Sequence, residues 1–136
     1  GAHLNDRRLR VAARTSLDGA LIGTGFPFRD QRHIDHYVGM FKAMSQATAG
    51  LRRPGCASLD LAYGAAGRTD GFWEIGLAPW DLAAGALLIA EAGGTVSDLS
   101  GGGRYMETGN LVGGNLRIHQ GILELIRPFL SDALSA

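Results

Sequence analysis

The sequence of 136 residues has a single cysteine, Cys56. One cysteine excludes an internal disulfide and fits a reducing compartment. No apolar run approaches the roughly 20 residues that a membrane-spanning helix needs. Neither sign of charge dominates, because 13 Lys and Arg offset 13 Asp and Glu. With no block of one sign either, a nucleic-acid footprint and a membrane-surface patch are both disfavoured. No basic-plus-apolar leader opens the sequence, so a cytoplasmic location is expected. A Gly-rich phosphate loop and a His-Glu-x-x-His run are missing. Gly23-Thr24-Gly25 opens like a dinucleotide fingerprint but has Phe28 where the third glycine belongs.

Glycine is what the sequence has in quantity, 21 residues scattered among apolar segments. That scatter marks turns and points of close packing rather than low complexity. The length suits one domain with an ordinary core. Residues 4–11 alternate around Asn5-Asp6, which predicts a hairpin. An isolated hairpin is marginal without a sheet to join. Residues 1–13 are therefore assigned to a sheet outside this sequence, and residues 14–136 to a C-terminal α/β domain.

Residues 20–24 are an apolar run bounded by glycines and predict a buried strand. Asp30 is placed as the cap of a helix whose Ile34, Tyr37, Val38, Phe41 and Met44 recur at helical spacing, ending at Gly50. Residues 51–53 read as extended ahead of Pro54. A helix over 59–66 closes at Gly67, and Phe72-Trp73-Glu74-Ile75 alternates as a strand does. Asp81 is read as the N-cap of an apolar helix buried on all sides and stopped by Gly93-Gly94. A strand over 95–99 and another over 111–113 follow. Asn115 caps a final helix to about Arg127, which Pro128 ends or kinks before a restart toward Leu134. This alternation predicts an α/β fold with a mostly parallel or mixed five-stranded sheet flanked by helices.

In such sheets ligands gather where strands deliver the chain into helix N-termini. Three junctions qualify: residues 26–30, 53–58 and 74–81. His33 and His36 lie three apart on a helix but lack an evident third ligand, which favours a solvated face over a metal site. Cys56 at a helix start is either a thiol of lowered pKa or a small residue in a tight turn. Glu74 and Asp81 flank one connection that could bring two carboxylates to one rim. Hard cations such as Mg²⁺ accept one or two carboxylates together with water and phosphate oxygens. A capping Asp with a solvated Glu is the plain alternative.

Trp80-Asp81-Leu82-Ala83-Ala84-Gly85, followed by Glu91-Ala92-Gly93-Gly94-Thr95-Val96-Ser97-Asp98, resembles the second signature of the inositol monophosphatase family. Arg53-Pro54-Gly55-Cys56-Ala57-Ser58-Leu59-Asp60-Leu61-Ala62-Tyr63 and Asp70-Gly71-Phe72-Trp73-Glu74 match in order and at family spacing. The resemblance runs through the C-terminal tail and is greatest to the bacterial extragenic suppressor members. It implies the C-terminal half of the family's fold, with Asp81 a Mg²⁺ ligand and Glu74 contacting a substrate hydroxyl. By the same resemblance, backbone groups of Gly55, Cys56 and Ala57 line the inositol pocket. It further implies lithium-sensitive hydrolysis of myo-inositol phosphates, a homodimer and, for bacterial members, dealings with RNA polymerase and antitermination factors. Related sugar-bisphosphate and nucleotide 3′-phosphatases share the Trp-Asp signature. The family's first signature, an Asp-Pro-x-Asp-Gly-Thr run with an upstream Glu that supplies most metal ligands, is absent from these residues. An inactive polypeptide is therefore expected from this chain alone.

Overall fold

The computed structural model describes residues 1–27 and 30–136, so the expected junction over residues 26–30 lies partly outside the described residues. The chain opens with two short antiparallel strands, β1 (His3–Leu4) and β2 (Arg7–Arg8). Asn5 and Asp6 turn between them with φ of 50° and 67°. Two successive positive φ values make the tight turn whose twist suits a hairpin. The hairpin forms its own small sheet, fastened by the Val11 N–H donating to the Ala92 carbonyl at 3.1 Å.

The main sheet contains β3 (Leu21–Thr24), β4 (Gly50–Arg52), β5 (Gly71–Glu74), β6 (Thr95–Ser97) and β7 (Leu111–Gly114). Its order is β4-β3-β5-β7-β6. β3 runs parallel to β4 and β5, whereas β7 runs antiparallel to β5 and β6. The sheet is thus mixed and five-stranded, in agreement with the alternation read from the sequence.

Five α-helices accompany it among the described residues: α1 (Ile34–Ala47), α2 (Ala57–Ala65), α3 (Pro79–Glu91), α4 (Tyr105–Thr108) and α5 (Leu116–Ile126). Successive strand residues face opposite sides of the sheet. Trp73 and Val112 accordingly join Tyr37, Met44, Ile118 and Ile122 in a core beneath α1 and α5. Phe72 and Leu111 face the other way, toward Leu61, Leu82 and Ile89 of α2 and α3. No helix among the described residues is long and apolar enough to cross a membrane.

Several expectations need correction. α3 is not buried all round: Leu82, Gly85, Ala86 and Ile89 are buried, but Trp80 is 80% exposed and Leu87 62%. The helix packs on α2 and the sheet along one stripe, and among the described residues nothing covers Trp80 and Leu87 on its outer face. α1 ends at Ala47 because Gly50 pairs with Leu21 as the start of β4. Val38 is 54% exposed rather than part of the core. α2 begins at Ala57, before the expected Leu59. The strand expected over 95–99 stops at Ser97, because the Asp98 carboxylate gathers the N–H groups of Ser100, Gly102 and Arg104 into a turn. α4 was not foreseen. After α5 the chain makes one 3₁₀ turn, Arg127–Phe129, and residues 132–135 form a turn rather than a renewed helix.

Candidate active site

β5 delivers Glu74 to the end of the sheet beside the parallel strand β3, where the chain leaves toward α1. A cavity of about 370 Å³ opens there. Glu74, Asp81, Gly55 and Ala57 all lie on its wall. The connections over 53–58 and 74–81 thus meet at one rim, as expected of strand-to-helix junctions.

Asp81 is not the N-cap of α3. Ala78 holds that position, with Pro79 and Trp80 before Asp81 in the first turn. The Ala78 N–H donates to Asp81 Oδ2 at 2.9 Å. Ala78 has no side-chain acceptor, so only the returning half of a capping box can form. Oδ1 of Asp81 accepts no hydrogen bond among the described residues, and the side chain is partly buried against the cavity. One oxygen therefore holds the helix start and the other remains free.

Glu74 sits deeper. Its carboxyl group lies so close to Gly25 that a Cβ there would come within 2.7 Å of Oε2. Burial pushes the Glu74 carboxyl up to about 7, with the charges of Asp60 and Asp81 adding and Arg53 opposing. Asp60 is 5% exposed, and burial pushes it up to about 6. Arg53 lies over the Phe26 ring at 5.1 Å, on the same rim. Acids and guanidinium form one electrostatic group around the Gly55 turn, where φ of +94° requires a residue tolerant of the left-handed region.

These shifts set a pH dependence. Glu74 binds its proton more tightly folded than unfolded, so the folded state holds more protons between pH 4.5 and about 7. The contribution of Glu74 to stability falls as pH rises through that window. Urea denaturation in metal-free buffer should show this contribution as the difference between wild type and Glu74→Gln, the variant losing less stability between about pH 5 and 7. An equally steep decline in the variant would assign the slope to other groups.

Cys56 departs from its neighbours. It is exposed and not on the cavity wall, and its Sγ lies 3.5 Å from Ser58 Oγ. That contact and the Leu59 backbone lower its thiol. The cavity receives Gly55 and Ala57 from this turn instead. His33 reaches the rim, while His36 Nδ1 pairs with the Phe129 carbonyl at 2.9 Å. Among the described residues no three His, Cys, Asp or Glu side chains gather as a metal cage.

Rim residues that the sequence reading did not assign to the site include Gly25, Thr108, Asn110 and Ala133. The side chain of Asn110 is nearly buried, and its Oδ1 accepts the Gly76 N–H at 3.0 Å. No local pattern marks this pair, which is separated by 34 residues.

Residues 1–130 match the profile of the inositol monophosphatase family. The Nus factor SuhB of Pseudomonas aeruginosa is 56% identical over 136 residues, covering 98% of this chain and 50% of that protein. The inositol-1-monophosphatase of Rhizobium meliloti is 53% identical over 127 residues, 93% of this chain and 48% of the relative. Among solved structures, the extragenic suppressor protein suhB from Bartonella henselae superposes with a TM-score of 0.89 at 43% identity, covering 93% of this chain and 48% of that one. Inositol monophosphatase from Anabaena gives 0.85 at 35% identity, covering 91% and 50%. The chain spans about half the length of the relatives it matches.

Proposed function

This chain belongs to the inositol monophosphatase family, and from that premise we propose that it forms part of a Mg²⁺-dependent phosphatase acting on myo-inositol phosphates. Its share of the site is Asp81 as one metal ligand, Glu74 toward a substrate hydroxyl, and backbone groups of Gly55 and Ala57 along the sugar ring. The observation that carries this reading is the convergence of Glu74, Asp81 and the Gly55 turn on one cavity. Lithium sensitivity, a homodimer and a cytoplasmic location belong to the same proposal.

The residues present fit one coordination position, because Asp81 keeps Oδ1 free while Oδ2 is tied to Ala78. Bound Mg²⁺ would neutralise phosphate charge and make hydroxide available near neutral pH. The remaining steps belong to the protein itself. A Glu74 carboxyl held near pH 7 can donate or accept toward a hydroxyl, whereas a fully solvated one would only accept. The Gly55–Ala57 turn contributes backbone groups that need no reorganisation when substrate arrives.

Magnesium-dependent release of phosphate from myo-inositol 1-phosphate by the full-length protein tests the reading, with sugar bisphosphates and nucleotide 3′-phosphates as competitors. The 136-residue chain, shown to be folded by circular dichroism, should release none. Release by the chain alone would contradict the divided site. The Nus factor name of the Pseudomonas aeruginosa relative favours a second reading, in which the full-length protein works with RNA polymerase or antitermination factors. Asp81→Asn separates the two, since only the phosphatase role needs that carboxylate.

A further inference from the structure

The connection from Glu74 to Asp81 is held at four successive residues. Ile75 is 4% exposed and sits in the core under α1 and α5. The Gly76 N–H donates to Asn110 Oδ1 at 3.0 Å, the Leu77 N–H to the Gly109 carbonyl at 2.8 Å, and the Ala78 N–H to Asp81 Oδ2 at 2.9 Å. Two of these three acceptors belong to the residues that enter β7. The β5–β7 ladder ends at the pair Glu74 and Leu111, so Asn110 extends it with a side chain where the backbone pairing stops. Gly109 adopts φ of +75°, and a Cβ there would collide with the Leu77 backbone, so the two segments touch directly. Three consecutive N–H groups with acceptors, next to a buried Ile75, tie this connection down more tightly than a loop whose donors face only water.

We propose that Asn110 is a positioning residue of the site: by holding Gly76 it fixes the span between the substrate-facing Glu74 and the metal-facing Asp81. The assignment of those two carboxylates rests on the function proposed above; the clamp itself does not. Asn110 also lines the cavity, and its Nδ2 has no hydrogen-bond partner among the described residues, which makes a direct substrate contact the competing role.

Two variants of the full-length protein, Asn110→Ala and Asn110→Asp, separate these roles. Amide hydrogen exchange over residues 75–80 should quicken about tenfold in Asn110→Ala. The kcat/KM for myo-inositol 1-phosphate should fall about 10- to 100-fold, the loss typical of groups that orient a ligand. Asn110→Asp keeps the acceptor, so its exchange should return to within about threefold of wild type whatever its added charge does to turnover. Unchanged exchange in Asn110→Ala overturns the clamp. Faster exchange with unaltered kcat/KM overturns the positioning role, as does exchange that Asn110→Asp fails to restore. Slow exchange with lost activity would assign the effect to Nδ2. A wild-type protein that releases no phosphate would refute the proposed function, while the exchange measurements would still report on the clamp.

Discussion

Asp81→Asn in the full-length protein is expected to lower kcat/KM toward myo-inositol 1-phosphate by about 10²- to 10³-fold, as loss of a preorganised electrostatic group does. The fold should survive. Asn keeps an oxygen for the Ala78 N–H, now donated to Oδ2 at 2.9 Å, so the start of α3 stays capped. What disappears is the negative charge. Its favourable interaction with the helix N-terminus is worth about 0.3–1 kcal/mol. A loss of that size lowers the Tm of a protein of roughly 150–250 residues by at most about 4 °C. The chemistry loses far more, because an amide is a weak ligand for a hard cation. Steady-state kinetics beside calorimetric melting separate the two effects. Near-normal turnover would show that Asp81 only caps the helix.

Gly85→Ala should destabilise the protein by about 1–3 kcal/mol, the usual range for overpacking a tight contact. Ala is ordinarily the better helix former by about 1 kcal/mol, so the sign of the change is diagnostic. Gly85 lies in α3 where it crosses α2, and an added Cβ would press on Leu61, 2.6 Å from Cδ1 and 3.0 Å from Cγ. Leu61 is completely buried, so its side chain has nowhere to go. Gly85→Leu should be worse still. Chemical denaturation of the full-length variants would measure both. An unchanged or higher denaturation midpoint would mean that α2 and α3 can move apart without penalty. Gly85 belongs to the same short motif as Asp81, yet its work is packing rather than chemistry.

Local periodicity made the fold readable. Ile118, Ile122 and Ile126 repeat every four residues along α5 and are all buried. Phe72 and Trp73 point to opposite faces of the sheet, as alternation requires. Where partners far along the chain decide the outcome, the sequence was less informative. Gly50 looked like a helix stop because it is a glycine, but its pairing with Leu21 makes it the start of a strand. The uniformly apolar α3 suggests burial all round, whereas Trp80 and Leu87 on one face lie exposed among the described residues. α4 spans only Tyr105–Thr108, too short for periodicity to register.

The site divides in the same way. Glu74 and Asp81 were legible as a pair because one short connection joins them. The depth of Glu74 was not, since Gly25 and Asp60 approach it from other segments. The N-cap of α3, Ala78, lies three residues before Asp81, because Pro79 suits the first turn and is itself the first residue of α3. Asn110 could not be anticipated, because its partner Gly76 is reached only through the β5–β7 pairing.

Asp81 is expected to turn its free oxygen to a cation. Titration of Mg²⁺ into full-length wild-type protein and Asp81→Asn, followed by calorimetry without substrate, measures that directly. The expected result is saturable binding by wild type that weakens about 10- to 100-fold, or becomes undetectable, in the variant. Identical isotherms would contradict the account and leave Asp81 as a helix cap.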